Sequence, residues 1–164
     1  MEFEHHRAEH VDDGMLLIQV NLDDMNPEHC SYVTDKLLEC GANDVYWVPI
    51  IMKKGRPGLM LNVLTALSEL SAVEEIVFKE TTTLGLRYLQ VSCHRLGREF
   101  YKVTTSWGEV MVKAGFYKGE LVHYAPEFRD CEIVAKANAI PLKQVYDEVK
   151  RRFMEEVGTV EGKD

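Results

Sequence analysis

The chain has 164 residues, of which 46% are hydrophobic and 28% charged, and its formal net charge is −8. This composition is typical of a globular protein with a sizeable core, and the acidic charge argues against a general nucleic-acid binder. Since no apolar run approaches the ~20 residues of a membrane helix and the N-terminus lacks a signal-peptide core, we expect a cytoplasmic protein without nucleic-acid or membrane partners.

Residues 1–14 are polar, and we expect them to form a flexible leader. His5, His6 and His10 lie among glutamates there, where histidines are either solvated or ligands of a transition metal. Both interpretations are open. The four cysteines of the chain show no Cys-x-x-Cys spacing, so we expect reduced, mostly structural thiols rather than a zinc site or a disulfide framework.

Residues 15–96 are predicted to form a ferredoxin-like domain with the element order βαββαβ. Short aliphatic and β-branched runs predict strands at 15–22, 44–51, 59–65 and 86–95. Helices are expected after the first and third strands, with Asn26 and Ser68 as their caps. Pro49 indicates an edge strand or a bulge. In this split βαβ pattern, a four-stranded antiparallel sheet carries two helices on one face.

Residues 97–157 are predicted to form a small β-meander followed by two helices. Glycines separate three short strands, and Pro126 and Pro141 each open an amphipathic stretch. The tail, residues 158–164, is expected to be frayed. The predicted fold class is therefore α+β.

Two adjacent carboxylates, Asp23 and Asp24, lie where the first strand meets the first helix. Such a pair holds a hard cation, Mg²⁺ or Mn²⁺, through oxygen ligands. Alternatively, one carboxylate caps the helix and the other is solvated. The spacing alone does not decide between a metal site and a capped helix.

A basic turn, MKKGRPG, joins the second and third strands and contains Lys53, Lys54, Gly55 and Arg56. Glycine allows a ligand to approach the backbone closely, and lysine and arginine beside exposed amides suit a phosphate. A solvated hairpin tip explains the same residues. The turn is not a Walker sequence.

The stretch ETTTLGLR places three hydroxyls, Thr81, Thr82 and Thr83, shortly before Arg87. Hydroxyls, adjacent amides and an arginine together favour an oxyanion or phosphate cradle. The threonines also end the preceding helix, because β-branched residues favour extended backbone. Lone histidines such as His123 are expected to be structural or solvated, and the acidic residues that follow Pro126 complement a helix dipole.

Taken together, the stretches VNLDDMNPE, MKKGRPG and ETTTLGLR resemble, in order and spacing, the C-terminal half of the LarC-type nickel insertion proteins. That family acts in making the nickel-pincer nucleotide cofactor of lactate racemase. The later stretch GELVHYAPEFRDCEIVAKANAIPLKQVYDEV resembles the same half, so the likeness spans about residues 15–150.

The resemblance implies an activity that uses CTP with Mn²⁺ or Mg²⁺ to insert Ni²⁺ into pyridinium-3,5-bisthiocarboxylic acid mononucleotide. It implies a nucleotide-binding module that forms homo-oligomers and works with the N-terminal half of the family protein, so the activity of the isolated chain is an open question. A triphosphate would then face Lys53, Lys54, Gly55, Arg56, Thr81, Thr82, Thr83 and Arg87. Asp23 and Asp24 would lie near the divalent cation or the ribose. The alternatives are a non-catalytic regulatory nucleotide-binding module and an oligomerisation domain.

Overall fold

A computed structural model describes residues 8–161, with side chains described for 8–156. The chain divides into two compact units. Residues 11–93 form the N-terminal unit, and the residues from His94 onward, with those that precede Val11, form the C-terminal unit. Within the described range, no helix is both long enough and apolar enough to cross a membrane. His5 and His6 lie outside the described residues.

The N-terminal unit contains one four-stranded sheet and two helices, in the predicted order βαββαβ. Its elements are β1 (His10–Leu22), α1 (His29–Glu39), β2 (Asp44–Met52), β3 (Arg56–Ala66), α2 (Leu70–Glu80) and β4 (Arg87–Arg95). The strand order is β2-β3-β1-β4, and β3 runs antiparallel to both β1 and β2. The α+β class and the ferredoxin-like arrangement are therefore confirmed. Pro49 lies in β2, an edge strand, as predicted.

Alternation along β1 explains how this sheet is covered. Ile18, Val20 and Leu22 are at most 4% exposed and pack in one cluster with buried side chains of α1 and α2. Because successive side chains of a strand point to opposite faces, the residues between them lie on the face away from the helices. Full burial of each aliphatic side chain stabilises the fold by about 1.5–3 kcal/mol.

Several boundaries differ from those predicted. β1 begins at His10, because the residues before Met15 contact β4: Gln90 donates to the carbonyl oxygen of Asp13 at 3.3 Å, and Ser92 donates to its carboxylate at 2.9 Å. The expected cap at Ser68 is wrong, since its hydroxyl donates to the Glu69 carboxylate at 3.1 Å and a 3-10 turn precedes α2.

Asn26 lies before a turn rather than at the helix end itself. Its side-chain oxygen accepts the backbone N–H of Glu28 at 3.1 Å, and its carbonyl accepts that of His29 at 3.0 Å. This turn leads into α1, which starts three residues after Asn26.

The C-terminal unit is a three-stranded antiparallel meander with two helices, as predicted. Its elements are β5 (Gly97–Thr105), β6 (Gly108–Tyr117), β7 (Glu120–Pro126), α3 (Phe128–Asn138) and α4 (Leu142–Glu161). Val103, Val112 and Phe153 are at most 1% exposed within its core. Pro126 ends β7 instead of opening α3, and the helical backbone of α4 continues to Glu161, inside the stretch 158–164 that was predicted to be frayed.

Candidate functional site

The three sequence clusters of the N-terminal unit meet where β1 ends. Residues 23 and 24 follow β1 directly, Arg56 begins β3 and Arg87 begins β4, and β3 and β4 are the two neighbours of β1 in the sheet. Residues separated by more than 30 positions in the sequence thereby come into contact. We call this group the β1-end site; it comprises Asp23, Asp24, residues 53–56, residues 81–83 and Arg87.

A salt bridge connects the first two clusters. The Arg56 guanidinium lies 3.1 Å from a carboxylate oxygen of Asp23, with side-chain exposures of 60% for Arg56 and 21% for Asp23. Since Arg56 is largely exposed, water and salt screen this pair, and its contribution to stability is small. A bound anion therefore has access to the Arg56 side chain.

Lys53 and Lys54 occupy the tip of the β2–β3 hairpin, which the pair Met52–Arg56 closes. Both lysines are exposed, and neither makes a hydrogen bond or an ion pair with the described part of the chain. Lys54 has φ 64° and ψ 18°, a left-handed conformation that costs a non-glycine residue roughly 1–2 kcal/mol. Strain of this kind is concentrated at functional sites, but it also occurs in tight turns.

The threonine cluster is divided between a structural role and a contact with the site. The hydroxyl of Thr81 donates to the Val77 carbonyl at 2.7 Å, and that of Thr83 donates to the Gly85 carbonyl at 2.7 Å. The Thr81 hydroxyl therefore satisfies a carbonyl at the end of α2, and the Thr83 hydroxyl stabilises the loop that follows. Thr82 instead donates to the Asp24 carboxylate, and this contact joins the second and third clusters.

Glu80, which opens the threonine stretch, has a structural partner. Lys36 of α1 donates to its carboxylate at 2.5 Å, and this hydrogen bond raises the pKa of the Lys36 ammonium. The pair connects α1 to α2, so Glu80 is already engaged.

Arg87 reaches across the sheet face that the helices leave open. Its guanidinium donates to the side-chain amide oxygens of Gln19 at 3.1 Å and Asn21 at 3.3 Å. It also lies 3.4 Å from the sulfur of Met60. All three partners are neutral. Within the described residues Arg87 has no carboxylate partner, so its positive charge is not neutralised.

An amide network that the sequence analysis missed holds these partners. Gln19 donates to the side-chain oxygen of Asn62 at 3.0 Å, and Asn62, only 1% exposed, donates to the carbonyl of Met60 at 3.2 Å. The signal was present in the alternation of Gln19 and Asn21 with aliphatic residues along β1, and in an asparagine within β3. The aliphatic residues of this run predict a buried strand, but they do not reveal its polar face.

Gly58, the last residue of MKKGRPG, has a packing role. A Cβ atom at this position would lie 2.6 Å from the carbonyl oxygen of Leu22, at the end of β1. A glycine is therefore required for β3 to pass β1 this closely. Gly55 has φ 69°, and the turn itself requires it.

Other candidate residues prove to be structural. Asp130 accepts the backbone N–H of Met111 at 2.9 Å, which connects the start of α3 to β6 in addition to complementing the helix dipole. Burial raises the pKa of the Cys131 thiol to about 11. All four cysteines are free, and among the described residues no group of three or more His, Cys, Asp or Glu side chains is placed to hold a metal ion.

Comparison with known sequences gives the family. The family described as nickel insertion protein matches residues 3–146. The pyridinium-3,5-bisthiocarboxylic acid mononucleotide nickel insertion protein of Clostridium kluyveri is 43% identical over 149 residues, covering 91% of this chain and 37% of that protein. The protein of the same description from Acetivibrio thermocellus is 42% identical over 146 residues, covering 89% and 36%. The chain thus spans about a third of the length of these relatives.

Solved structures agree with this assignment. The apo form of LarC2, described as the C-terminal domain of a cyclometallase involved in the synthesis of the NPN cofactor of lactate racemase, superposes with a TM-score of 0.80 at 34% identity, covering 89% of this chain and 99% of that one. A protein of Methanopyrus kandleri has the same fold, with a TM-score of 0.65 at 23% identity, covering 88% of this chain and 89% of that one. The chain therefore belongs to the nickel insertion protein family and corresponds to its C-terminal, LarC2-type domain.

Proposed function

We propose that this chain is the CTP- and divalent-metal-binding part of a nickel insertion protein. The complete protein would insert Ni²⁺, as a substrate, into pyridinium-3,5-bisthiocarboxylic acid mononucleotide and form the nickel-pincer cofactor. The names of the curated relatives support the reaction class. The observation that carries the assignment to this chain is the convergence of cations and carboxylates at the β1-end site.

The donor chemistry of the site suits a metal-bound triphosphate. Lys53, Lys54, Arg56 and Arg87 provide four positive charges within a chain of net charge −8. Arginine binds phosphate oxygens through its planar fork, whereas lysine binds them as a point charge. In this assignment the hairpin tip and the two arginines hold the phosphates. The Thr82 hydroxyl, which donates to Asp24, would donate to a phosphate oxygen once Asp24 turns to the cation.

Asp23 and Asp24 would hold the divalent cation. Mg²⁺ is usually bound by one or two carboxylates, with substrate phosphates and waters completing its coordination, and Mn²⁺ also prefers oxygen ligands. Two adjacent carboxylates are therefore a suitable set for a metal that arrives with the nucleotide. Bound CTP would supply either an activating group or the binding energy for closure around the substrate.

The contacts within the site suggest how it accepts its ligand. The Asp23–Arg56 salt bridge neutralises one charge of each sign. When a metal–triphosphate complex binds, Arg56 turns to a phosphate and Asp23 turns to the cation, so each charge exchanges one partner for another. Because Arg56 is largely exposed, separating the pair has a small energetic cost.

The proposal includes a cytoplasmic location and a homo-oligomer. Four free cysteines suit a reducing compartment. The edge strand β4 exposes two large apolar side chains, Tyr88 at 52% and Leu89 at 50%, and an exposed apolar edge favours association between copies. Light scattering coupled to size exclusion measures the oligomeric state. A monomer at all concentrations would contradict this part of the proposal.

Calorimetry on the purified chain tests the binding function. We expect CTP with Mn²⁺ to bind more tightly than ATP with Mn²⁺, and we expect the double variant Asp23→Asn, Asp24→Asn to lose the dependence on the metal. Absence of CTP binding at millimolar concentration would contradict the proposal. Bound CTP that is never consumed, even with nickel and the pincer precursor in the full-length protein, would instead favour a regulatory module.

A further inference from the structure

The outer face of the meander contains a second candidate binding site. A cavity of ≈ 370 Å³ opens on this face, and its lining includes three basic side chains: Arg98, Lys113 and His123. These residues lie in the C-terminal unit and share none of the side chains of the β1-end site. An inference about this cavity therefore stands independently of the proposed function.

Strand register brings the three basic residues together. Arg98 of β5 lies directly opposite Gly115 of β6, and Gly115 lies opposite His123 of β7. Directly opposite residues share one face of a sheet, so Arg98, Gly115 and His123 lie on the same face. Lys113 lies there too, because it is two positions before Gly115 in β6. With two strand spacings between them, the Cα atoms of Arg98 and His123 are about 10 Å apart.

Gly115 forms part of the floor of the cavity. A Cβ atom there would lie 3.4 Å from Leu96 and 3.8 Å from His123, which are ordinary contact distances, and the backbone of Gly115 does not have a positive φ. These contacts do not exclude a larger residue in this central strand, although the pairing of β6 with β7 is irregular between Gly115 and Phe116. Glycine within a strand weakens it, and it often marks a β-bulge or a position where a ligand or another backbone approaches closely.

The three basic side chains are also not engaged elsewhere. None of them makes a hydrogen bond or an ion pair in the described structure, whereas Lys102 and Arg152 of the same unit are paired with Glu109 and Glu148. One carboxylate, that of Glu127, lines the cavity, but it lies outside ion-pair distance of all three. The cavity therefore contains an excess of positive charge.

We propose that this cavity binds the phosphate group of a small phosphate monoester. Arg98 and His123 would grip the phosphate oxygens from two sides above Gly115, and Lys113 would add a third donor from the neighbouring row. A phosphate dianion matches this separation of donors, because it accepts hydrogen bonds on several oxygens at once. Leu96 and Ala125 provide an apolar wall against which the organic part of the ester packs.

A titration of the complete chain with inorganic phosphate, monitored by NMR, tests the site. We expect saturable shifts of the Gly115 amide and the His123 ring signals, absent when chloride is added at matched ionic strength. Arg98→Ala should weaken this binding by about 10- to 150-fold, the effect of losing one charge-assisted contact. Gly115→Ala should weaken it while all charges are kept. Ribose 5-phosphate should bind more tightly than inorganic phosphate.

Two controls separate this cavity from other anion sites. Lys136→Ala removes a cation of the same unit that is paired with Glu132 at 2.9 Å, and Arg56→Ala removes one from the β1-end site. Both variants should leave the Gly115 and His123 shifts unchanged. The proposal is overturned if phosphate up to tens of millimolar gives no saturable shift. It is also overturned if Arg98→Ala binds as the unsubstituted chain does while its unfolding curve is unaltered.

Discussion

Replacing Arg56 with alanine separates the binding role of the basic turn from its structural role. Arg56 contacts Asp23 at 3.1 Å, and its side chain is 60% exposed. An exposed ion pair contributes about 0.2–1 kcal/mol to stability, so Arg56→Ala should lower the free energy of unfolding by no more than this amount. The loss is small because water solvates the released Asp23 carboxylate.

The expected effect on nucleotide binding is much larger. If Arg56 donates charge-assisted hydrogen bonds to a phosphate, its removal should cost about 1.5–3 kcal/mol of binding free energy. At 25 °C this corresponds to a Kd for CTP with Mn²⁺ that rises about 10- to 150-fold. Arg56→Lys should give a Kd between that of the unsubstituted chain and that of Arg56→Ala, because lysine keeps the charge but loses the planar fork.

Calorimetric titration with CTP and Mn²⁺, combined with urea unfolding of the same samples, measures both quantities. The matched control is Lys102→Ala, which removes a pair of similar geometry, 3.0 Å long with 61% and 58% exposure, from the C-terminal unit. It should lower stability about as little as Arg56→Ala does and leave the Kd unchanged. An equal Kd for Arg56→Ala and the unsubstituted chain would refute the phosphate contact and leave the turn as a solvated hairpin tip.

Three further substitutions test features described above. Lys54→Gly relieves the left-handed strain and should raise the free energy of unfolding by up to about 1 kcal/mol while weakening CTP binding; tighter binding would contradict a phosphate role. Gly58→Ala should lower the free energy of unfolding by about 1–3 kcal/mol, because its Cβ meets the Leu22 carbonyl oxygen; an unchanged urea midpoint would contradict this contact. Burial raises the pKa of Cys131 from 9.0 to about 11, so the unfolded thiol ionises first and stability should fall as the pH rises through that range. Cys131→Ala should lack that part of the decrease, measured by urea unfolding at pH 8 and pH 11, and equal pH dependence would contradict it.

The order of secondary structure could be predicted because each element carries its own local signal. These signals act over a few residues. They are the aliphatic run of β1, the four-residue spacing of Val33 and Leu37 in α1, and the glycines between the meander strands. The β2–β3 hairpin followed from the basic turn between two such runs. Ferredoxin-like connectivity then limits how these elements are joined.

The members of the candidate site could be chosen from the sequence, but the contacts between them could not. Asp23, Arg56 and Thr82 stood out by chemistry, whereas the pairs Asp23–Arg56 and Asp24–Thr82 depend on strand order, which no local pattern encodes. For the same reason, three adjacent threonines appeared equivalent in the sequence. In the structure, the hydroxyls of Thr81 and Thr83 donate to nearby backbone carbonyls, and that of Thr82 donates to a carboxylate.

Binding and folding depend on different residues in this unit. The fold is stabilised by side chains such as Ile18, Val33 and Val77, which are fully buried on the helix-covered face. The β1-end site uses exposed or half-buried polar groups outside the core, so most substitutions there should change ligand affinity without unfolding the chain. Asn62, which lies outside the site but supports it, serves both binding and folding. It is 1% exposed and joins Gln19 to the backbone of Met60, so its loss would leave two half-buried polar groups without this partner and disturb the support of Arg87 as well.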